Sequence, residues 1–341
     1  MINHIGVGII GCGLIGHKRA AEVVKHAQST LVSVYDTHPQ QAEKLADLYT
    51  VKAVSSWQEM LDDDHIQVLI VATPNKFLVE MAVPALRKGK HVLIEKPMGR
   101  NLTESVSMSE AAQAGNTLLK IGFNHRYHPA LLKAHELVGK NSIGKIINIR
   151  AHYGHGGRPG YEKEWRGNLE MAGGGELTDQ GVHLLDLIHW FMGKMPLSAF
   201  AMTQTMVWPI APLEDNAFAL LQYDDGAVVN FHSSWTQWKN EFVFSIFGEL
   251  GALCIKGLGG SYGPEQLTQM KRNPQGGVPE ISSEMFVEPD QSWRLEWEDF
   301  MKAILNKTSY WGSPKEGLAV MKMLDALYQS SAKNSAIKVS Q

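Results

Sequence analysis

Two side chains that can bind or transfer protons, Asp179 and His183, stand four residues apart where an apolar helical pattern begins. On a helix this spacing places them on one face, and Asp186 continues that face at the next turn. An imidazole titrates near neutral pH and suits a general acid/base, while a carboxylate one turn away can orient it, raise its pKa or bind substrate hydroxyl groups. The residues alone leave open a simpler interpretation, a solvated polar face or a buried histidine satisfied by an aspartate.

A metal site built on this helix is disfavoured. The available ligands would be Asp179, His183, Asp186 and His189. His189 lies six residues beyond His183 and therefore on a different face, and no cysteine joins the group. We expect no bound metal.

Lys96 is a third candidate for the chemistry, because it follows the strand pattern His91–Ile94 and precedes Pro97. The residue before a proline is held in an extended conformation, which would aim the lysine side chain reproducibly. We interpret Lys96 as a cation that polarises a substrate oxygen. The alternative is an ordinary solvated lysine at the end of a strand.

A glycine-rich turn lies between the apolar run Ile5–Ile10 and a helical pattern over residues 14–24. Gly11, Gly13 and Gly16 fit the spacing G-x-G-x-x-G. Such glycines allow a tight turn, close approach of backbone N–H groups to a pyrophosphate, and close packing of helix on strand. The phosphates would lie at the helix N-terminus, at Leu14 and Ile15, where unpaired N–H groups and the helix dipole favour negative charge.

Asp36 ends a second strand pattern over residues 31–35, twenty residues beyond Gly16. A carboxylate at this place can accept hydrogen bonds from the hydroxyl groups of an adenine ribose. Thr37, His38 and Pro39 follow, without an arginine to receive a 2′-phosphate. The sequence therefore predicts NAD rather than NADP.

Strand and helix patterns alternate through the first third of the chain, as in a doubly wound parallel sheet. In open α/β sheets the ligands lie outside the carboxyl ends of the strands. Two further strand patterns, over residues 66–71 and 91–94, are followed by polar residues at their carboxyl ends. The predicted cofactor-binding residues are Gly11, Gly13, Leu14, Ile15, Gly16, Asp36, Thr73, Pro74, Asn75, Glu95 and Lys96.

The pattern changes after Gly122. Long strands with turns fill residues 197–255, a helix is predicted over residues 178–192, and two helices, near residues 293–305 and 316–330, end the chain. This indicates an α+β domain on a mostly antiparallel sheet. We predict a Rossmann domain over residues 1–122 and an open-faced sheet domain for substrate binding and oligomerisation over residues 123–341.

Composition restricts the classes of protein. The chain has 341 residues, 44% of them hydrophobic and 20% charged, with a formal net charge of −3. These values fit two folded domains and give no indication of a nucleic-acid or membrane partner. No apolar run reaches the length of a membrane span, and the N-terminus shows neither the basic region nor the cleavage site of a signal peptide, so we expect none. Cys12 and Cys254 fit no metal or redox spacing, so we expect no disulfide and a cytoplasmic protein.

Taken together, the motifs resemble the glucose–fructose oxidoreductase/inositol dehydrogenase/rhizopine-catabolism (Gfo/Idh/MocA) family over nearly the whole chain. They are Gly11-x-Gly13-x-x-Gly16, Asp36, Thr73-Pro74-Asn75, Glu95-Lys96-Pro97 and Gly174-Gly175 with Asp179-x-x-x-His183. The resemblance implies that Lys96 is the catalytic lysine, His183 the acid/base, and Asp179 the residue that positions substrate or His183. It also places Asn124-His125-Arg126 near the active site. Leu78 stands where the family often has a histidine, a difference that concerns a peripheral cofactor contact.

The polar loop over residues 152–166 precedes the predicted helix of Asp179 and His183 and is rich in aromatic and cationic side chains. Arginine suits carboxylates and phosphates, and aromatic rings suit sugar rings. A nucleotide-sugar or uronic acid would fit, a neutral sugar or inositol is equally open, and the loop could instead be a solvated surface segment. The predicted substrate-binding residues are Lys96, Asn124, Arg126, Tyr153, Arg158, Trp165, Arg166, Asp179 and His183.

The predicted function is NAD-dependent transfer of a hydride between nicotinamide and a secondary alcohol of a sugar, sugar derivative or cyclitol. Two alternatives stay open: a regulatory protein that binds NAD and a sugar, and a glycoside hydrolase that retains its NAD. From the exposed face of an open sheet we expect a homodimer or homotetramer.

Overall fold

The computed structural model describes residues 4–340, and these form two compact units. The first comprises Met1–Phe123 and Trp293–Leu318, and the second Asn124–Ser292 and Ala319–Gln341. The expected division after residue 122 lies one residue from the observed one. Residues 293–318 differ from the prediction, which assigned them to the second domain. They belong to the first because Trp297, Phe300 and Met301 complete its hydrophobic core.

The first unit is built on a six-stranded parallel sheet in the order β3-β2-β1-β4-β5-β6. The strands are β1 (Ile5–Ile10), β2 (Ser29–Tyr35), β3 (Lys52–Ala53), β4 (Val68–Val71), β5 (His91–Ile94) and β6 (Leu119–Ile121). The helices between them are α1 (Leu14–Lys25), α2 (Pro39–Tyr49), α3 (Gln58–Asp62), α4 (Leu78–Arg87) and α5 (Leu102–Gly115). This confirms the predicted doubly wound sheet.

Strands β1 and β4 form where the sequence has continuous apolar runs. β1 and β4 are buried along their whole length, as expected for parallel strands covered by helices on both faces. The strand order reverses between β1 and β4, and ligands of doubly wound sheets bind at such a switch point. The glycine turn follows β1, and Thr73-Pro74-Asn75 follows β4.

The second unit contains a nine-stranded sheet in the order β14-β13-β12-β11-β7-β10-β9-β8-β15. Only β7 and β10 pair in parallel within this sheet as the structure describes it, so the sheet is mostly antiparallel, as predicted. The unit begins with α6 (Pro129–Gly139), β7 (Ile146–Gly154), α7 (Leu169–Ala172) and α8 (Val182–Met192). The strands that follow are β8 (Ser198–Gln204), β9 (Asn216–Gln222), β10 (Val228–Ser234), β11 (Glu241–Gly248), β12 (Gly251–Lys256), β13 (Glu265–Lys271) and β14 (Glu280–Phe286).

The chain then forms α9 (Ser292–Asn306), α10 (Pro314–Lys333) and β15 (Ile337–Lys338). Within residues 4–340 no helix combines the length and the apolar character needed to span a membrane.

The start of the predicted helix of Asp179 and His183 differs from a regular α-helix. Leu177–Gly181 forms a π-helical turn, which holds Asp179, and His183 is the second residue of α8. Single π turns are rare and are found often at functional sites. The hydrophobic spacing could not reveal this turn, because the following α8 keeps an ordinary helical period.

Candidate active site

The glycine turn of the first unit fits a dinucleotide. Gly11 has φ +97°, and a Cβ there would lie 2.4 Å from the carbonyl oxygen of Ala72. A Cβ on Gly16 would lie 2.0 Å from the carbonyl oxygen of Gly11, so α1 packs directly on the turn. At Gly13 no heavy atom of the described chain, apart from Gly13 and its two chain neighbours, lies within 4 Å of the Cβ position, and neighbouring Leu14 is 75% exposed. Gly13 thus leaves open space where a pyrophosphate can approach the backbone.

The N-terminus of α1 is suited to an anion. Its first residue is Leu14, Gly13 precedes it, and among the described residues no side chain caps the helix there. The N–H groups of the first turn are therefore available, and the helix dipole favours negative charge at this end. Leu14, Ile15 and Gly16 would hold the pyrophosphate of NAD.

Asp36 joins the end of β2 to this turn. Its Oδ2 accepts a hydrogen bond from the Cys12 N–H at 2.8 Å, and its Oδ1 accepts one from the His38 N–H at 2.9 Å. A carboxylate has about four acceptor positions, so both oxygens can still accept from ribose hydroxyls. Burial, and then the charge of Asp36, raise the pKa of the Cys12 thiol to about 12, so Cys12 stays a neutral thiol beside the turn.

The carboxyl ends of β4 and β5 carry the other predicted cofactor residues. Thr73 and Pro74 are half-buried and Asn75 is buried, while Lys96 is half-buried and precedes Pro97 through a cis peptide bond. Glu95, also predicted to bind cofactor, is half-buried at the end of β5. Its Oε1 accepts a hydrogen bond from Arg19 Nε at 2.9 Å, so its carboxylate is bound within the protein.

Arg19 of α1 lies between two carboxylates. Its Nη1 donates to Glu296 of α9, opposite Glu95, and the Trp293 ring covers the guanidinium at 4.5 Å from the ring centroid. A Cβ on Gly122 would lie 2.7 Å from Arg19 Nη2, so a glycine leaves room for this group. Burial raises the pKa of Glu296, and the Arg19 charge opposes that shift.

In the second unit, His183 stacks on His125. The two imidazole centroids are 3.7 Å apart with the planes 16° from parallel, and His183 is only 6% exposed. The ring nitrogens of His125 lie 3.2 Å from Asn124 Oδ1 and 3.2 Å from the Tyr153 hydroxyl. Asn124 and Tyr153, both predicted substrate residues, are therefore tied to the imidazole that packs on the candidate acid/base.

Two tyrosines line the same region. The rings of Tyr153 and Tyr262 are 5.0 Å apart, and Gln180 Nε2 donates to the Tyr262 hydroxyl at 3.0 Å. Burial raises the pKa of Tyr153 well above its usual value and that of Tyr262 to about 12. The charges of Glu176 and Asp179 add to both shifts, so each phenol keeps its proton and can donate a hydrogen bond.

The loop arginines are paired with carboxylates. Arg166 Nε lies 3.3 Å from Asp179 Oδ2, and its guanidinium lies 4.4 Å from the Trp165 ring centroid. Arg158 is 60% exposed and donates two hydrogen bonds to Glu164, at 2.7 and 2.6 Å. The predicted substrate loop therefore places Arg166 against the candidate catalytic carboxylate and Arg158 at the surface.

Arg126 requires a correction. The sequence suggested that it binds substrate, but its side chain is 0% exposed. Its Nε and Nη2 donate to Asp186 at 2.9 and 2.6 Å. Asp186, which was expected to extend the face of Asp179 and His183, is likewise fully buried in this pair. The pair is structural, because a substrate cannot reach side chains that the protein covers completely.

The sequence did not indicate Gln180 and Tyr262 as site residues. His125 was placed near the active site together with Asn124 and Arg126, but it was not among the predicted substrate-binding residues. Nothing in the spacing of Tyr262, in a glycine-rich loop after β12, indicated that its ring would meet Tyr153. Among residues 4–340 no group of three or more His, Cys, Asp or Glu side chains is arranged to hold a metal ion.

Comparison with known proteins shows the family to which the chain belongs. Residues 5–123 match the model of an oxidoreductase family with an NAD-binding Rossmann fold, and residues 131–254 match the Gfo/Idh/MocA C-terminal domain. The chain belongs to the Gfo/Idh/MocA family of NAD-binding oxidoreductases. This confirms the resemblance seen in the motifs.

Two sugar dehydrogenases and one solved structure are similar to this chain. Levoglucosan dehydrogenase of Pseudarthrobacter phenanthrenivorans is 25% identical over 100% of this chain and 99% of its own. Glucose-6-phosphate 3-dehydrogenase of Bacillus subtilis is 35% identical over 54% of this chain and 53% of its own. A solved structure of levoglucosan dehydrogenase in complex with NADH superposes with a TM-score of 0.89 at 25% identity, covering 99% of this chain and 100% of that one.

Proposed function

We propose that this protein is an NAD-dependent dehydrogenase acting on a secondary alcohol of a sugar, sugar derivative or cyclitol. The observation that carries the proposal is the buried imidazole of His183, which stacks on the ring of His125. His183 stands four residues after Asp179. The named relatives that are dehydrogenases of levoglucosan and glucose 6-phosphate support a sugar-type substrate.

His183 is the proposed acid/base, and its imidazole takes the proton of the substrate hydroxyl. Lys96 places an ammonium group to stabilise the negative charge that develops on the substrate oxygen. Asp179 binds a substrate hydroxyl or orients His183. NAD, when bound, supplies the acceptor for the hydride.

The residues proposed to hold NAD lie in the first unit. The glycine turn and the first turn of α1 bind the pyrophosphate, Asp36 binds the adenine ribose, and the ends of β4 and β5 contribute the remaining contacts. They are Gly11, Gly13, Leu14, Ile15, Gly16, Asp36, Thr73, Pro74, Asn75, Glu95 and Lys96.

A neutral substrate is favoured over an anionic one. Arg158 and Arg166, the cations expected to bind a phosphate or carboxylate, already pair with Glu164 and Asp179. An anionic substrate would have to break these pairs and would meet the charge of Asp179. We therefore propose a neutral sugar or cyclitol, bound by Asn124, Tyr153, Trp165 and Arg166 together with Lys96, Asp179 and His183.

We also propose a homodimer or homotetramer in the cytoplasm. One face of the nine-stranded sheet carries large apolar side chains on neighbouring strands, 43 to 51% exposed: Met202, Phe218, Leu220 and Val228. Exposed apolar surface of this kind is typical of subunit interfaces. Cys12 and Cys254, both in the described part of the chain, are free thiols, which suits a reducing compartment.

The decisive experiment follows NADH absorbance while the purified protein and NAD are mixed with sugars, inositols, uronic acids and nucleotide-sugars. Steady NADH formation with a neutral sugar or cyclitol is the expected result. Activity confined to uronic acids or nucleotide-sugars would contradict the proposal of a neutral substrate, but it would agree with the proposed dehydrogenase activity. No NADH with any compound, despite measurable NAD binding, would contradict the dehydrogenase and favour a regulator or a hydrolase with retained NAD.

A further inference from the structure

The backbone that leads into the π turn is held by a distant glutamate. Glu214, 5% exposed, accepts hydrogen bonds from the Gly175 N–H at 3.2 Å and the Leu177 N–H at 2.9 Å. The Glu176 N–H donates to the Glu214 carbonyl oxygen at 3.0 Å. Three consecutive amides at the start of the helical segment are thus bound by one residue 37 positions later in the chain. This satisfies the N–H groups that a helix start leaves without partners.

Tyr328 of α10 extends this contact to Thr178. Its hydroxyl donates to Glu214 Oε1 at 2.8 Å and lies 2.8 Å from Thr178 Oγ1. A phenol has one proton, so the Thr178 hydroxyl must be the donor to Tyr328. Burial raises the pKa of Tyr328, and the Glu214 charge adds to this, so the phenol keeps the proton that it donates.

The glycine run packs against the same residues, Thr178, Tyr328 and Glu214. A Cβ on Gly174 would lie 2.0 Å from Thr178 Oγ1 and 2.3 Å from the Tyr328 hydroxyl. A Cβ on Gly175 would lie 2.2 Å from the carbonyl oxygen of Glu214. These distances are far below van der Waals contact, so the two glycines are required because Glu214 and Tyr328 pack directly on the backbone.

Hydrogen bonds connect Glu214 through Tyr328 to Thr178, and all three residues lie in the second unit. Thr178 stands one residue before Asp179 and five before His183. We propose that Glu214 and Tyr328 are positioning residues, which fix the π turn and thereby the placement of Asp179 and His183. The proposal rests on the proposed function, because it takes Asp179 and His183 as catalytic. Displacement of a catalytic group by about 1 Å can cost about 100-fold in rate.

The first test compares Tyr328→Phe and Glu214→Gln with a matched control, Tyr310→Phe. Tyr310 is a tyrosine of the first unit whose hydroxyl donates to the Leu119 carbonyl oxygen at 2.9 Å. We expect kcat to fall about tenfold in Tyr328→Phe and further in Glu214→Gln, with the NAD dissociation constant within about twofold of wild type. In Tyr310→Phe kcat should stay near wild type. Unchanged kcat in both test variants would overturn the proposal.

The second test is independent of turnover. Hydrogen exchange of the Gly175 and Leu177 amides should accelerate about tenfold or more in Glu214→Gln, because one amide oxygen replaces the two carboxylate acceptors of these N–H groups. Tyr310→Phe should leave these amides unchanged. Unchanged exchange in Glu214→Gln overturns the proposal whether or not a substrate has been found. A wild-type protein that oxidises no compound contradicts the proposed function instead.

Discussion

Arg19 binds the carboxylate of Glu95, the residue immediately before Lys96, through an Nε–Oε1 hydrogen bond of 2.9 Å. Arg19 is 2% exposed, and Glu296 holds its other side. The helix that starts at the glycine turn is therefore tied to the strand end that carries the proposed catalytic lysine. Glu95 consequently has a structural contact within the protein.

Replacing Arg19 by methionine should destabilise the protein by about 3–5 kcal/mol, because Glu95 and Glu296 would lose their shared cation while staying largely buried. The free energy of unfolding from urea titration measures this. Arg158→Met is the matched control, since Arg158 is 60% exposed in its ion pair and should cost about 0–1 kcal/mol. Equal losses in the two variants would contradict the structural importance of the Arg19 pair.

Replacing Lys96 or His183 by alanine should lower kcat by about 100-fold or more with little change in NAD affinity. The reason is that both side chains are proposed to act on the reacting hydroxyl, while the glycine turn and Asp36 are proposed to supply most of the binding of NAD and Lys96 only one of the remaining contacts. Stopped-flow or steady-state NADH absorbance gives kcat, and fluorescence titration gives the NAD dissociation constant. Lys52→Ala, at a side chain 70% exposed, serves as control. Near-normal turnover in either test variant would remove that residue from the mechanism.

Asp36→Ala should weaken NAD binding about tenfold and reduce the preference for NAD over NADP. The variant loses the proposed acceptor for the ribose hydroxyls, and it removes a negative charge that would repel a 2′-phosphate. Dissociation constants for both cofactors measure the change. Asp47→Ala, an exposed aspartate on α2, should bind both as wild type does. A wild type without preference for NAD would show that Asp36 does not select the cofactor.

His232 should make the protein less stable as the pH falls from about 6.5 to about 4. Its ring stacks on Phe218 at 4.0 Å, and burial, with a smaller contribution from His152, lowers its pKa to about 4. The unfolded chain takes up this proton near its ordinary pKa of about 6.5, so stability present above that pH is lost on acidification. The fall in Tm between pH 7 and pH 4.5 should be smaller in His232→Gln. His65→Gln, at a side chain 80% exposed, should keep the wild-type fall.

Leu220→Glu should shift the protein toward the monomer, because it places a charge on the proposed subunit face. Leu220 is 47% exposed, and Met202 and Phe218 lie on the same sheet face. Light scattering after size exclusion gives the mass, and Leu169→Glu, at an exposed leucine outside the sheet, is the control. A wild type that runs as a monomer would contradict the proposed oligomer.

Local pattern predicted most of the first unit, since apolar runs, glycine spacing and Asp36 are properties of neighbouring residues. It could not predict contacts between distant residues. Arg126 and Asp186 are 60 positions apart, and only the fold shows that they neutralise each other in the core. The helix pattern near residue 293 was visible, but amphipathicity does not state which core a helix joins. The π turn at Asp179 was hidden because the regular α8 follows it directly.

Because residues 293–318 belong to the first unit, that unit depends on a segment that the ribosome makes late. Trp297, Phe300 and Met301 fill the core that strands β1 and β2 begin, and Glu296 supplies a partner of Arg19. During translation the core of the nucleotide-binding unit therefore cannot close until residues 124–292, about half of the whole chain, have been made. A fragment cut after residue 122 would expose this unfinished core, so such a fragment is a poor choice for expressing that unit alone.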